Sequence, residues 1–235
     1  LYLFLGGNPT SDNPVVGCQM KRRTRHGSKA IVITSAQIDL TQYANVWADS
    51  RRGTSTLLLT GVIAEVIRMG GVDQEFVREH VAGSERIARL IEKIDLHEVA
   101  SITGVSPDKI RAIARLVGDP SLKTVAWYNL DSRADRSPDD LKALATLLLL
   151  VGKYGRNGSG LALMTSQSNS SGVRLAGCDN ALLPGGVATN NTSMLHEVGA
   201  VWKTDLRKLL GHDSAAPATT LQEGKVRSAF VFGEN

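Results

Sequence analysis

Short apolar runs separated by long helical stretches constrain this chain more than any other feature. LYLFL (1–5), AIVIT (30–34), TVAWY (124–128) and SAFVF (228–232) are each too brief for a buried helix, and the first leads straight into Gly6-Gly7. The β-branched content of AIVIT favours a strand over a helix. Runs that are apolar throughout, rather than alternating, fit strands covered on both faces, which is the condition of a parallel sheet.

The stretches between them read as helices. NPVVGCQMKRRTRHG ends at Gly27 with basic residues in its last turns, which complement the carbonyl end of a helix. STLLLTGVIAEVIRMGG is closed by a glycine pair, DQEFVREHVAG is a further helix, and Ser84 suits an N-cap for SERIARLIEKI. In SPDKIRAIARLVG, Ser106 caps, Pro107 takes the first helical position, and Ile110, Ile113, Ala114 and Val117 form one apolar stripe. SPDDLKALATLLLLVGKYG repeats the Ser-Pro start, and its leucines predict burial nearly all round. Residues 160–193 are rich in Ser, Asn and Gly and read as a long loop region. SMLHEVGAVWKTDLRKLLG reads as a helix, and 214–220 as a linker to the last strand. Strands alternating with helices, without close hairpin signals, predict a Rossmann-like α/β fold, doubly wound about a parallel sheet. We expect a single domain over 1–235.

At 235 residues the chain can bury a substantial core. No apolar run approaches the roughly 18 residues that would span a bilayer. Net charge is +4, and KRRTRHGSK (21–29) supplies much of it, as a solvated helix end or a docking surface. Cys18 and Cys178 have neither metal-ligand nor disulfide spacing, which points to a reducing, cytoplasmic setting. The opening residues do not read as a signal peptide, and none is expected. The first residue is Leu, and a strand begins at once, as expected of a piece of a longer chain.

In parallel sheets ligands bind at the carboxyl ends of the strands. The turn GGNPTSDNP lies there, but it is neither G-x-G-x-x-G nor a phosphate loop with its Lys. The histidines at 26, 80, 97, 196 and 212 are scattered, Ser170 and Ser171 lack a nucleophile elbow, and Cys178 lacks an electropositive neighbour. The residues by themselves stop at a ligand-binding or formerly ligand-binding α/β chain, with no catalytic group or metal site expected in it.

Several segments carry a resemblance to the molybdopterin oxidoreductase family. LFLGGNPTSDNPVVG resembles its strand and G-x-N-P loop. RRGTSTLLLTGVIAEVIRMGGVDQEFVREHVAG follows its R-x-G-T helix and D-x-x-F-V continuation. ITGVSPDKIRAIARL is similar to the helix after T-G-V. LATLLLLVGKYGRNGSGL resembles a glycine-rich segment, with Val151 where Thr is commoner, and FVFGEN resembles a second family strand. The resemblance implies two pseudo-symmetric α/β units around a pterin cofactor, with LGGN and FGEN as symmetry mates.

Family members that bind molybdopterin guanine dinucleotide typically end the second strand in Asp-Pro-Arg and begin the following helix with G-T-D. Here those places read Thr34-Ser35-Ala36-Gln37 and Gly53-Thr54-Ser55. A carboxylate accepting from guanine makes charge-assisted hydrogen bonds of about 1.5–3 kcal/mol each. Losing two would weaken the site by orders of magnitude. SNSSGVRLAGCDNALLPGG is similar to the large iron–sulphur subunit of NADH:quinone oxidoreductase (NADH dehydrogenase I). Gln167, Asn169 and Gly172 partly match the formate dehydrogenase pattern.

The NADH:quinone oxidoreductase resemblance is the first reading, and it implies a scaffold without a cofactor in this chain. It would serve electron transfer from NADH, through iron–sulphur clusters held elsewhere, to quinone. The formate dehydrogenase resemblance implies a cradle for a molybdopterin guanine dinucleotide of molybdenum or tungsten, lined by Gly7, Asn8, Asp12, Thr34, Ser35, Gln37 and Ser55. A purely structural α/β module is the third alternative. Expected partners are other domains of the same chain and other subunits of a respiratory redox complex, which could hold it at the inner face of the membrane. Nucleic acid and direct membrane insertion are not expected.

Overall fold

The computed structural model describes residues 1–91, 93–130, 137–165, 169–179, 181–206, 221–224 and 228. The 214–220 linker, His212 and residues 229–232 of the expected last strand lie outside them. The chain divides into two compact units, Leu1–Ser166 and Gln167–Asn235.

The first unit is built on five parallel strands: β1 (Tyr2–Leu5), β2 (Ala30–Thr34), β3 (Val46–Asp49), β4 (Val125–Asn129) and β5 (Gly160–Met164), in the order β3-β2-β1-β4-β5. The one-turn α1 (Pro9–Asp12) and α2 (Pro14–Arg25) link β1 to β2, and a 3-10 turn (Asp39–Tyr43) links β2 to β3. Between β3 and β4 run α3 (Ser55–Arg68), α4 (Gln74–His80), α5 (Ser84–Ile91), α6 (Leu96–Thr103) and α7 (Pro107–Gly118), and α8 (Pro138–Leu150) links β4 to β5.

Strand alternation sorts the core by face. Leu3, Leu5, Ile31, Ile33, Ala48, Ala126 and Tyr128 pack with the apolar stripes of α3, α7 and α8. Phe4, Val32 and Met164 pack on the opposite face with Met20 of α2 and Leu40 of the 3-10 turn. With both faces covered, every residue of β2 is buried, which explains its unbroken apolar run. The chain steps outward from β1 to β3 with α2 on one face, then crosses to β4 with helices on the other, so the doubly wound expectation holds. The strand order reverses between β1 and β4.

The expected caps of α7 and α8 form. Ser106 accepts from the Lys109 N–H at 3.4 Å, and Ser137 closes a capping box with Asp140. Three expectations are corrected. Ser84 is the first helical residue of α5 rather than its cap. Residues 160–164 form strand β5, not the start of a loop, because Gly160 and Leu161 continue the ladder of β4. Strand β3, absent from the expected elements, forms because Val46 and Ala48 alternate into the core while Trp47 and Asp49 point the other way. In the second unit α9 (Ser170–Leu175), a hairpin of β6 (Leu182–Leu183) and β7 (Val187–Ala188), and α10 (Thr192–Trp202) surround a small core of Leu183, Leu195 and Leu206.

Candidate cofactor-binding crevice

The carboxyl edge of the sheet divides the sequence-predicted residues into two groups. The first sits at the switch point. After β1, Gly6 and Gly7 take φ of 76° and 70°, and Asn8 then caps α1, its side chain accepting from the Thr10 N–H at 3.2 Å. A Cβ on Gly7 would lie 2.1 Å from Nδ2 of Asn129, so both backbone angle and close approach require glycine there. Asn129 ends β4 and is 2% exposed. Asp12 ties the two strands together: its Oδ2 accepts from the Asn8 backbone N–H at 3.2 Å and from Nδ2 of Asn129 at 3.1 Å. Nδ2 of Asn13 donates to the Thr165 carbonyl at 3.1 Å, just beyond β5. Gly7, Asn8 and Asp12 thus form a latch across β1 and β4, and Asn13 extends it to the end of β5. The Asn8 amide is occupied by the chain's own carboxylate.

The second group lies over β2. Thr34 donates its hydroxyl to the Ala36 carbonyl at 2.8 Å. Thr34, Ser35 and Ser55 join Ser50, Tyr128, Asn129 and Asp140 around an inner pocket of about 10 Å³, room for one water at most. Asp140 is 3% exposed and both its oxygens are engaged, by the Thr56 hydroxyl and by the Ser137 N–H. Gln37 is exposed and lines neither this pocket nor its neighbour.

That neighbour has room for a ligand. A depression of about 430 Å³ is lined by Ser35, Asp49, Ser50, Arg51, Arg52 and Gly104. Nη1 of Arg51 donates to the carbonyls of Ser101 and Ile102 at 2.7 and 3.2 Å, satisfying the carboxyl end of α6. Gly104 closes that helix with φ 79°. Arg52 and Asp49 are exposed and, among the described residues, have no side-chain hydrogen bond or ion pair. Only Ser35 of the predicted residues belongs to this depression. Asp49, Ser50 and Arg52 are not among them, although V-W-A-D alternates as a strand does and runs directly into S-R-R-G.

A separate concavity of about 340 Å³ lies near the amino ends of β4 and β5, lined among others by Asp73, Lys123, Lys153 and Arg156. The carboxyl ends of α3, α7 and α8 converge there, and Lys153 answers them: its ammonium donates to the Val117 and Asp119 carbonyls, both at 2.7 Å. Burial pushes the Lys153 pKa down to about 8, partly opposed by the Asp119 carboxylate. Lys153 thus satisfies helix-end carbonyls at the side of this concavity. Cys18 and Cys178 are exposed thiols, and the described residues contain no group of three His, Cys, Asp or Glu able to hold a metal. No described helix is long and apolar enough to cross a membrane.

No family model matches the chain. Several relatives nevertheless align along nearly its whole length. It is 24% identical to the F420-dependent formate dehydrogenase subunit alpha of Methanocaldococcus jannaschii, over 99% of this chain and 34% of that protein. It is 23% identical to formate dehydrogenase H of Escherichia coli, over 100% and 33%. It is 25% identical to a nitrate reductase of Symbiobacterium thermophilum, again over 100% and 33%. The chain therefore spans about a third of the length of these relatives. Among solved structures, acetylene hydratase from Pelobacter acetylenicus superposes with a TM-score of 0.57 at 23% identity, over 67% of this chain and 22% of that one. The chain is thus similar end to end to formate dehydrogenase alpha subunits and related oxidoreductases, and it carries the parallel α/β fold of the molybdopterin oxidoreductases.

Proposed function

We propose that this chain is a domain of a formate dehydrogenase-type oxidoreductase, and that its carboxyl-edge depression holds the nucleotide end of a molybdopterin guanine dinucleotide cofactor of molybdenum or tungsten. The observation that carries this reading is the unbroken similarity to formate dehydrogenases over 99–100% of the chain.

The residues present fit such a group. The depression beside β2 and β3 is large enough for a base, and it offers hydroxyls from Ser35 and Ser50, an exposed cation at Arg52 and an exposed carboxylate at Asp49. The inner pocket and the Asp12 latch are too full to take it, so the nucleotide would lie over β2 and β3. When bound, the metal-bearing end of the cofactor would supply the redox chemistry. This chain would bind and orient the other end, and further domains and companion subunits would complete the oxidoreductase.

The second reading is a scaffold of the NADH:quinone oxidoreductase type, serving electron transfer from NADH through iron–sulphur clusters to quinone. Neutral Ser35 and Ser55 at the places where carboxylates are typical favour it. Metal analysis of anaerobically purified full-length protein separates the two. Molybdenum or tungsten near one per chain, with guanine nucleotide released by acid, is the expected result. Iron with neither metal nor guanine would replace it by the scaffold reading, and none of the three would leave a structural module.

A further inference from the structure

We propose that the concavity at the amino ends of β4 and β5 is an anion-binding site, in which Lys123, Lys153 and Arg156 hold a small dianion, a phosphate or a dicarboxylate. The site lies at the sheet edge opposite the cofactor crevice and does not depend on the cofactor reading above.

Charge and size both mark the place. The concavity measures about 340 Å³, enough for a small molecule. Its charged lining residues are Lys123, Lys153, Arg156 and Asp73, which leaves two positive charges in excess. The helix ends nearby do not use up that excess. The ends of α3 and α8 are closed by their own turns, where Gly70, Gly71, Gly152 and Lys153 donate backbone N–H groups to carbonyls of the last helical turn. Lys123 is exposed and, among the described residues, its ammonium has no hydrogen bond or ion pair.

Lys153 is the stronger sign. It is 5% exposed, and its ammonium is held against the segment whose Gly118 and Pro120 form part of the concavity wall. The Val117 and Asp119 carbonyls take two of its three protons. Among the described residues the third proton has no acceptor and the charge has no ion pair, although buried charges are ordinarily paired. The Asp119 carboxylate is engaged elsewhere, by the Ser121 N–H at 2.9 Å and its hydroxyl at 2.7 Å. Arg156 is fixed by Asp73 at 3.2 Å and by the Phe76 ring, 4.8 Å below its guanidinium, and a guanidinium has five N–H donors to share. A dianion would balance the excess and supply the acceptor that Lys153 lacks. It would also favour the ammonium form of Lys153, whose pKa burial lowers. The charged groups around that ammonium are Asp119, Asp73, Lys123, Arg156 and the amino group of Leu1. A cation that serves only the helix ends is the competing role for Lys153.

The test titrates full-length protein with sulfate and with succinate by calorimetry at low ionic strength, as wild type, Lys123→Ala, Lys153→Met and Lys142→Ala. Lys142 is exposed on α8 and paired with Asp139, and its variant is expected to bind as the wild type does. Lys153→Met should bind at least about tenfold more weakly, as the loss of a charge-assisted hydrogen bond requires. Lys123→Ala should weaken binding as well, and because Lys123 is exposed this variant tests the site even if Lys153→Met does not fold. Both probes keep their two charges between pH 7 and pH 9. Wild-type affinity should nevertheless fall over that range as Lys153 loses its proton near 8, and Lys153→Met should lack the fall. The tighter of the two probes assigns the ligand to the phosphate or the dicarboxylate class. Equal binding by all four proteins, or a wild type that takes up neither anion, would overturn the assignment.

Discussion

Asp12 shows how one side chain can fix the ends of two strands. Its carboxylate satisfies the Asn8 amide and the side chain of Asn129, which lies 117 residues further along the chain. Asp12→Ala would remove the carboxylate that these two part-buried donors share, at a cost of about 1–3 kcal/mol. Urea unfolding is expected to show that loss, with an unchanged m-value. Lys153 makes a pH-dependent contribution of its own. Its folded pKa of about 8 lies below the ordinary lysine value of 10.5, so the unfolded chain binds more protons between those limits. Stability from this group therefore rises as pH climbs from 8 towards 10.5, and is lost as pH falls through 8. Unfolding free energies at pH 7, 8, 9 and 10 should show the rise in the wild type and lack it in Lys153→Met. The sequence marks Asp12 only as a cofactor-lining candidate, not as a tie between strands, and Lys153, which follows a leucine helix, is not marked at all.

At the scale of elements, local rules carried most of the information. The Ser-Pro starts of α7 and α8, and the stripe Ile110, Ile113, Ala114 and Val117, are all present as the 3.6-residue period and cap chemistry require. The stripe is fully buried against the sheet and α3, so Ile113→Ala should cost about 2–5 kcal/mol. Thermal or denaturant unfolding measures it directly, and a loss under about 1 kcal/mol would mean that α7 repacks. Local rules failed where an element borrows its stability from a neighbour. β3 contributes four residues and β5 begins on a glycine; neither has a signal stronger than many loops. Each exists because an adjacent strand offers an open ladder, and β2 and β4 supply those ladders.

At the scale of the molecule, the functional reading depends on which strand ends are neighbours. Weighing metal and guanine in the full-length protein tests an arrangement, not a motif. The residues marked from sequence split accordingly: Thr34, Ser35 and Ser55 come together, Gly7, Asn8 and Asp12 lock a different place, and Gln37 stays outside. By itself the sequence determined the α/β class, the long helices with their caps, the central strands and the glycine turn after β1, because period, β-branching and capping act within a few residues. Only the tertiary structure decided that β3 pairs beside β2, that Asp12 reaches Asn129, and that Asp49 and Ser35 line one depression. Those contacts join residues far apart in the chain through strand order and register, and no local pattern encodes either.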